Sequence, residues 1–208
     1  MVEEIRIYVE GGGDGKDTKA AFRRGFHTFM ESLIATARKR RVRWRIIACG
    51  PRSRAYANYR RALATHSEAF NLLLVDAEGP VSHPPRDHLR QTDGWTFKGV
   101  SGEQCHLMVQ VMESWFLADT AALRLFYGQR FNENRLPSVQ QGVESIPKES
   151  VLNSLQDASR NTAKGPYHKT QHGPSILQLV DPSKVRTVAR HCERLFATLE
   201  DTLSHNEE

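Results

Sequence analysis

Residues 71–79 read NLLLVDAEG, an unbroken apolar run from Leu72 to Val75 that ends on Asp76, Ala77 and Glu78. A strand shows such a run when helices cover both of its faces, as in a parallel sheet. Side chains of an extended chain alternate, so Asp76 and Glu78 are expected on one side. Upstream, residues 4–9, EIRIYV, predict a strand with Glu10 at its end, and residues 43–50, RWRIIACG, predict another. Between them Phe22, Phe26, Phe29, Leu33 and Ala37 recur at spacings of three and four, which predicts one helix from Thr18 to Arg40 with a core-facing stripe. Residues 53–69, SRAYANYRRALATHSEA, predict a second helix, so the order is β-α-β-α-β.

Downstream, the three prolines of residues 80–95, PVSHPPRDHLRQTDGW, predict a surface excursion rather than a packed helix or strand. Residues 106–112, HLMVQVM, read as a fourth strand running into a helix at ESWFLADTAALRLFYG, with Trp115, Phe116, Leu123 and Phe126 buried and Gly128 closing it. Residues 129–147 read as irregular, 148–160 as a short helix, KGPYHKTQHGP as a loop and Ser183 to Leu203 as a final helix. Its buried side carries Cys192 with His191 beside it in structural roles, and Arg186, Arg190 and Arg194 form an exposed face. The expected architecture is α/β and Rossmann-like, a mostly parallel sheet of about four strands flanked by helices. Residues 1–128 form the α/β core, and 129–208 a mainly helical C-terminal extension packed on it as a single compact unit.

Hydrophobic residues make up 39% of the 208 and charged residues 25%, the balance of a water-soluble globular chain. No apolar run is long enough for a membrane span, and MVEEIRIYVE lacks the basic and apolar regions of a signal peptide. Three widely spaced cysteines, Cys49, Cys105 and Cys192, fit neither a disulfide framework nor a Cys-x-x-Cys zinc site. A cytoplasmic setting without membrane contact is expected. The net charge of +5 favours polyanionic partners, and RKRRVRWR concentrates it at Arg38, Lys39, Arg40 and Arg41. Two readings stay open there: contacts to nucleic acid, or cations opposing the negative end of a helix dipole.

Ligands of an open parallel sheet bind outside the carboxyl ends of its strands. Glu10, Asp76, Glu78 and Glu113 are expected there, at the ends of three strands. Such a cluster repels itself unless raised pKa values or a cation relieve it, and a hard divalent ion such as Mg2+ suits oxygen ligands. The loop GGGDGKD is no P-loop: Glu10 occupies the first glycine position and Asp17 that of the Ser or Thr. Nor does it offer the third glycine of a dinucleotide fingerprint. Its glycines do permit close backbone approach beside Glu10 and free N–H groups for an anion.

Together IYVEGGGDGKDTKAAFRRGF, LLLVDAEGP, VMESWFLAD and YHKTQHGPSILQLVDPSKVR resemble, over nearly the whole chain, the stand-alone TOPRIM-like family catalogued as domain of unknown function 4276, related to overcoming-lysogenization-type nucleases. The resemblance implies a TOPRIM-like fold and a Mg2+- or Mn2+-dependent nuclease acting on RNA, such as tRNA, or DNA. It further implies a bacterial anti-phage setting with an ABC-type ATPase partner. Glu10 matches the family glutamate of acid–base chemistry or metal binding, Asp76 with Glu78 the metal-holding pair, and Glu113 of Met112-Glu113-x-Trp115 a further ligand, with Trp115 as core. Glu78 departs from the commoner Asp-x-Asp pattern. Phosphodiester hydrolysis also needs positioned cations and a proton carrier: Lys16, Lys164, Lys169 and His172 are candidates for the first, His168 and His172 for the second. Rival readings are an idle interhelical loop at KGPYHKTQHGP and, for the whole chain, a non-catalytic docking subunit of an ATPase complex or a nucleotide-binding phosphotransfer enzyme.

Overall fold

The structure is a computed structural model that describes residues 2–205. Its centre is a four-stranded sheet of β1 (Glu4–Val9), β2 (Arg43–Ala48), β3 (Phe70–Asp76) and β4 (Cys105–Met108), all parallel, in the order β2-β1-β3-β4. The expected α/β architecture therefore holds. The chain steps from β1 outward to β2, then returns across β1 to β3 and β4, so the strand order reverses between β1 and β3. Loops leaving two adjacent strand ends diverge at such a point and open a crevice.

Alternate residues of the central strands enter two separate apolar clusters, which is why the Leu72 to Val75 run is continuous. Ile5, Ile7, Val9, Leu72 and Leu74 face one layer and Tyr8, Leu73 and Val75 the other. The second layer is α3 (Arg52–Thr65) and α4 (Pro85–Asp93). The first holds α1 (Lys16–Phe29), α2 (Glu31–Lys39), α7 (Lys169–Leu177) and α9 (Arg190–Ser204), with α5 (Thr120–Tyr127), α6 (Lys148–Ser159) and α8 (Pro182–Val188) extending its core. Val143, Val151, Leu155 and Leu199 share one cluster with β1 and β3, so the C-terminal helices belong to the same core as the sheet. No helix among the described residues is long and apolar enough to cross a membrane.

Several expectations are corrected. The helix expected over Thr18 to Arg40 breaks at Met30, a fully buried residue, and both halves keep their apolar faces inward. The proline-rich stretch does contain a packed helix, α4, because Pro85 sits in its first turn, where a missing N–H costs nothing. The strand expected over 106–112 ends at Met108, and Met112–Ala118 is a 3-10 helix separated from α5 by Asp119, which caps α5 by accepting from Ala122 N. KGPYHKTQHGP is only partly loop: α7 starts at Lys169 and tolerates Pro174 inside it. The final helix breaks at Ala189, so that the His191 backbone N–H donates to Glu144 and the His191 Nδ1 lies 2.8 Å from the same carboxylate. The arginine face there is partly engaged: Arg186 pairs with Glu193 and Glu200, and Arg194 donates to the carbonyls of Gly102 and Cys105, pinning α9 to β4.

Gly25 lets α1 and α7 touch, since a Cβ there would lie 2.8 Å from the Pro174 carbonyl oxygen. In an open helix, glycine to alanine stabilises by about 1 kcal/mol. Gly25→Ala is expected to do the reverse, destabilising by about 1–3 kcal/mol in urea unfolding, because a backbone atom must shift.

Candidate metal centre

Glu10 stays in register after β1, its N–H bonded to Leu74 O at 3.0 Å. Asp76 closes β3, and the backbone N–H groups of Ala77 and Glu78 bond to Met108 O and Gln110 O, both at 2.8 Å. These bonds hold the chain beside β4 while Glu78 turns into the left-handed region at φ 65°. Carboxylate oxygens of Glu10, Asp76 and Glu78 come within 4.8 Å of one another. The strand alternation expected for the pair does not describe it, because Asp76 is buried at 2% exposure and Glu78 is exposed. The turn, rather than the pleat, brings Glu78 in.

Glu113 is the second residue of the 3-10 helix, not a strand end, and it is fully buried. Its Oε1 accepts from the Tyr167 hydroxyl at 2.8 Å, while its Oε2 accepts no hydrogen bond among the described residues. Lys169 links it to the trio: Nζ lies 3.2 Å from Asp76 Oδ2 and 3.6 Å from Glu113 Oε2. Asp76 Oδ1 accepts from Met112 N at 2.8 Å. On the other side, Arg52 donates to Glu10 Oε2 at 3.1 Å and to the Asp76 carbonyl. Its remaining donors grip Asp93 at 2.7 and 2.8 Å, and its guanidinium lies 5.1 Å from the Trp95 ring centroid. Trp95 in turn stacks on Tyr56 at 4.3 Å. This fork geometry fixes Arg52 more tightly than a lysine could be held. Lys148 pairs with Glu78.

A family model described as domain of unknown function (DUF4276) matches residues 9–200, a span that takes in every residue of this site. The chain belongs to this family. No curated protein and no solved structure matches it.

The DUF4276 chain thus brings together four of its expected site residues, Glu10, Asp76, Glu78 and Lys169, with Glu113 joined through Lys169. Others lie apart. Lys16 is exposed and makes no side-chain hydrogen bond or ion pair among the described residues. His172 Nδ1 faces the Tyr127 hydroxyl at 3.2 Å, and burial, then the charges of His168 and Lys164, hold its pKa below the ordinary value. Lys164 sits over the Phe126 ring, and His168 is exposed beside Thr170. Arg38, Lys39, Arg40 and Arg41 precede β2, at the sheet edge opposite the carboxylates; six strand residues separate the two edges by roughly 20 Å. Arg40 there bonds to Leu203 O.

Sequence reasoning missed Arg52, Asp93, Lys148 and Tyr167. Arg52 carried a usable signal, since it opens the helix that follows the end of β2 and so falls on the carboxyl edge. Asp93 lay hidden in a stretch read as an excursion.

Burial, then the Asp76 charge, pushes the Glu10 carboxyl up to about 7. Burial raises Asp76 to about 6, with Lys169 opposing and Glu113 adding to the shift. Burial alone would depress Lys169, but Asp76 and Glu113 outweigh it and hold the ammonium above its usual range. A hard divalent cation fits this set: every donor is a carboxylate oxygen, and burial disfavours the charged forms of Glu10 and Asp76.

Two outcomes follow from the raised carboxyls. The folded state holds protons that the unfolded chain releases near pH 4.5, so metal-free protein loses stability as pH rises from about 4.5 to 7. Glu10→Gln removes that loss and should raise the Tm at pH 7.5 by at least about 2–4 °C in metal-free buffer. Ions compete with those protons, so Mn2+ affinity measured by calorimetry should rise between pH 5.5 and 7.5, with proton release on binding.

Proposed function

We propose that the chain is a Mg2+- or Mn2+-dependent nuclease of TOPRIM type that hydrolyses phosphodiester bonds in RNA or DNA. The observation that carries this reading is the convergence of Glu10, Asp76 and Glu78 within 4.8 Å at the point where strand order reverses. An all-carboxylate donor set of this size suits Mg2+ or Mn2+, ions that leave coordination positions for water and phosphate oxygens. When bound, such an ion polarises the phosphoryl group and makes a bound water a better nucleophile.

The chain's own residues supply the rest. Glu10, placed beside the ion, takes the proton of the attacking water or returns one to the leaving oxygen. Lys169, whose side chain is half exposed, presents an ammonium to the phosphate oxygens as negative charge builds on them. Arg52 holds Glu10 against the backbone of Asp76 and keeps that carboxylate aimed. Tyr167 and Glu113 fix the far side of Lys169.

The family resemblance extends the proposal to a cytoplasmic anti-phage effector working with an ABC-type ATPase. Three free, buried cysteines accord with a reducing compartment.

Purified protein incubated with tRNA, other RNA and plasmid DNA, alone and with any ABC-type ATPase encoded beside it, should cleave with Mg2+ or Mn2+ and not with chelator. Glu10→Gln and Asp76→Asn are each expected to slow cleavage by at least about 100-fold, the scale of a lost acid–base or charge-stabilising group. Metal-independent cleavage, or full activity in Asp76→Asn, would contradict the proposal.

A further inference from the structure

A cavity of about 250 Å³ adjoins the carboxylates and shares Glu10 and Lys169 with them. Phe22, Met112 and Pro174 give it apolar walls, and the backbone of Gly11, Gly12 and Gly13 borders it together with Thr170. The triple glycine, which the metal centre does not itself require, forms one border of this space and packs closely against Phe22. All three residues have positive φ, at 119°, 84° and 61°. A Cβ on Gly11 would lie 2.6 Å from Phe22 Cζ, and one on Gly12 would lie 3.2 Å from Phe22 Cβ. A Cβ on Gly13 would lie 3.3 Å from Thr18 Oγ1 and 3.6 Å from Thr170 Cγ2.

Besides the residues Glu10, Asp14, Lys169 and Thr170, backbone groups border the space. Gly11 and Gly50 exchange hydrogen bonds of 2.8 Å that anchor the loop, whereas the N–H groups of Gly12 and Gly13 make no backbone hydrogen bond among the described residues. Pro174 has no N–H, so the Thr170 carbonyl loses its helical partner four residues on. Apolar faces combined with donors and an acceptor at the margin match a planar heterocycle, whose own polar groups lie along its edge. A base paired in a duplex cannot enter a space of this size; an unpaired or extruded one can.

We propose that this cavity receives the base of an unpaired nucleotide next to the scissile phosphate, and so selects single-stranded, frayed or flipped substrate. This rests on the nuclease reading for the phosphate beside it, but its test does not require cleavage. Calorimetry of the full chain with Mg2+ compares AMP, GMP, CMP and UMP with ribose 5-phosphate, none of which has a phosphodiester bond to hydrolyse. At least one mononucleotide should bind about tenfold tighter than ribose 5-phosphate. Thr170→Trp, which fills the cavity, should abolish that advantage and leave ribose 5-phosphate binding within twofold; Thr170→Leu, a smaller filler, decides the matter should the tryptophan variant not fold. Equal affinity for nucleotides and ribose 5-phosphate, or an advantage that survives the filled cavity, overturns the proposal. A base-dependent advantage in a protein that cleaves nothing overturns the nuclease reading and leaves the base pocket standing. Cleavage without the advantage does the opposite.

Discussion

Like charges crowded at a dry sheet edge are the constraint around which this molecule is organised. Glu10, Asp76 and Glu78 approach within 4.8 Å, and Asp76 and Glu113 are almost wholly withdrawn from water. At such separations in a medium of low polarity, repulsion costs several kcal/mol unless cations or protons offset it. The fold answers with two fixed cations of different kinds. Arg52 is held by Asp93 and Trp95 and serves the Glu10 side, while Lys169 bridges Asp76 and Glu113. Burial, with the neighbouring carboxylates adding to it, still raises the Glu10 and Asp76 carboxyls against these cations. On the proposed reading, a divalent ion would relieve the remaining unfavourable charge.

That arrangement explains why the chain is larger than its sheet. Lys148, Tyr167 and Lys169 all come from the C-terminal helical part, and each contacts a carboxylate positioned by the sheet or the segment after β4. The extension thus completes the site as well as extending the core. The 80–95 excursion has a similar role from the opposite side: α4 ends at Asp93, and Asp93 with Trp95 immobilises Arg52. Trp95 and Tyr56 lie nearly parallel, at 4°, so both faces of the site rest on packed rather than mobile supports.

The strands, their parallel pairing and the identity of the clustered acids were legible in the sequence, because continuous apolar runs ending in acids reflect burial on both faces and the geometry of strand ends. Helix boundaries were less legible. Apolar spacing continues through Met30 and Ala189, where tertiary contacts break the helix without any change in pattern. Pro85 and Pro174 suggested loops where one occupies a harmless first turn and the other is absorbed by packing against Gly25. Among the site residues, Lys169 was legible because it neighbours a recognisable motif. Arg52, in contrast, lies in no recognisable motif, although its helix follows β2 and so begins at the carboxyl edge, whereas Arg38 to Arg41 precede β2 and lie at the other.

The central claim is that the carboxylates of Glu10, Asp76 and Glu78 jointly hold a divalent ion. Anomalous diffraction from crystals equilibrated with Mn2+ at pH 7.5 addresses it directly. A peak bonded to oxygens of these residues is expected, with Lys169 displaced from Asp76. Crystals saturated with Mn2+ that show no peak there, and Lys169 still bridging Asp76 and Glu113, would contradict it.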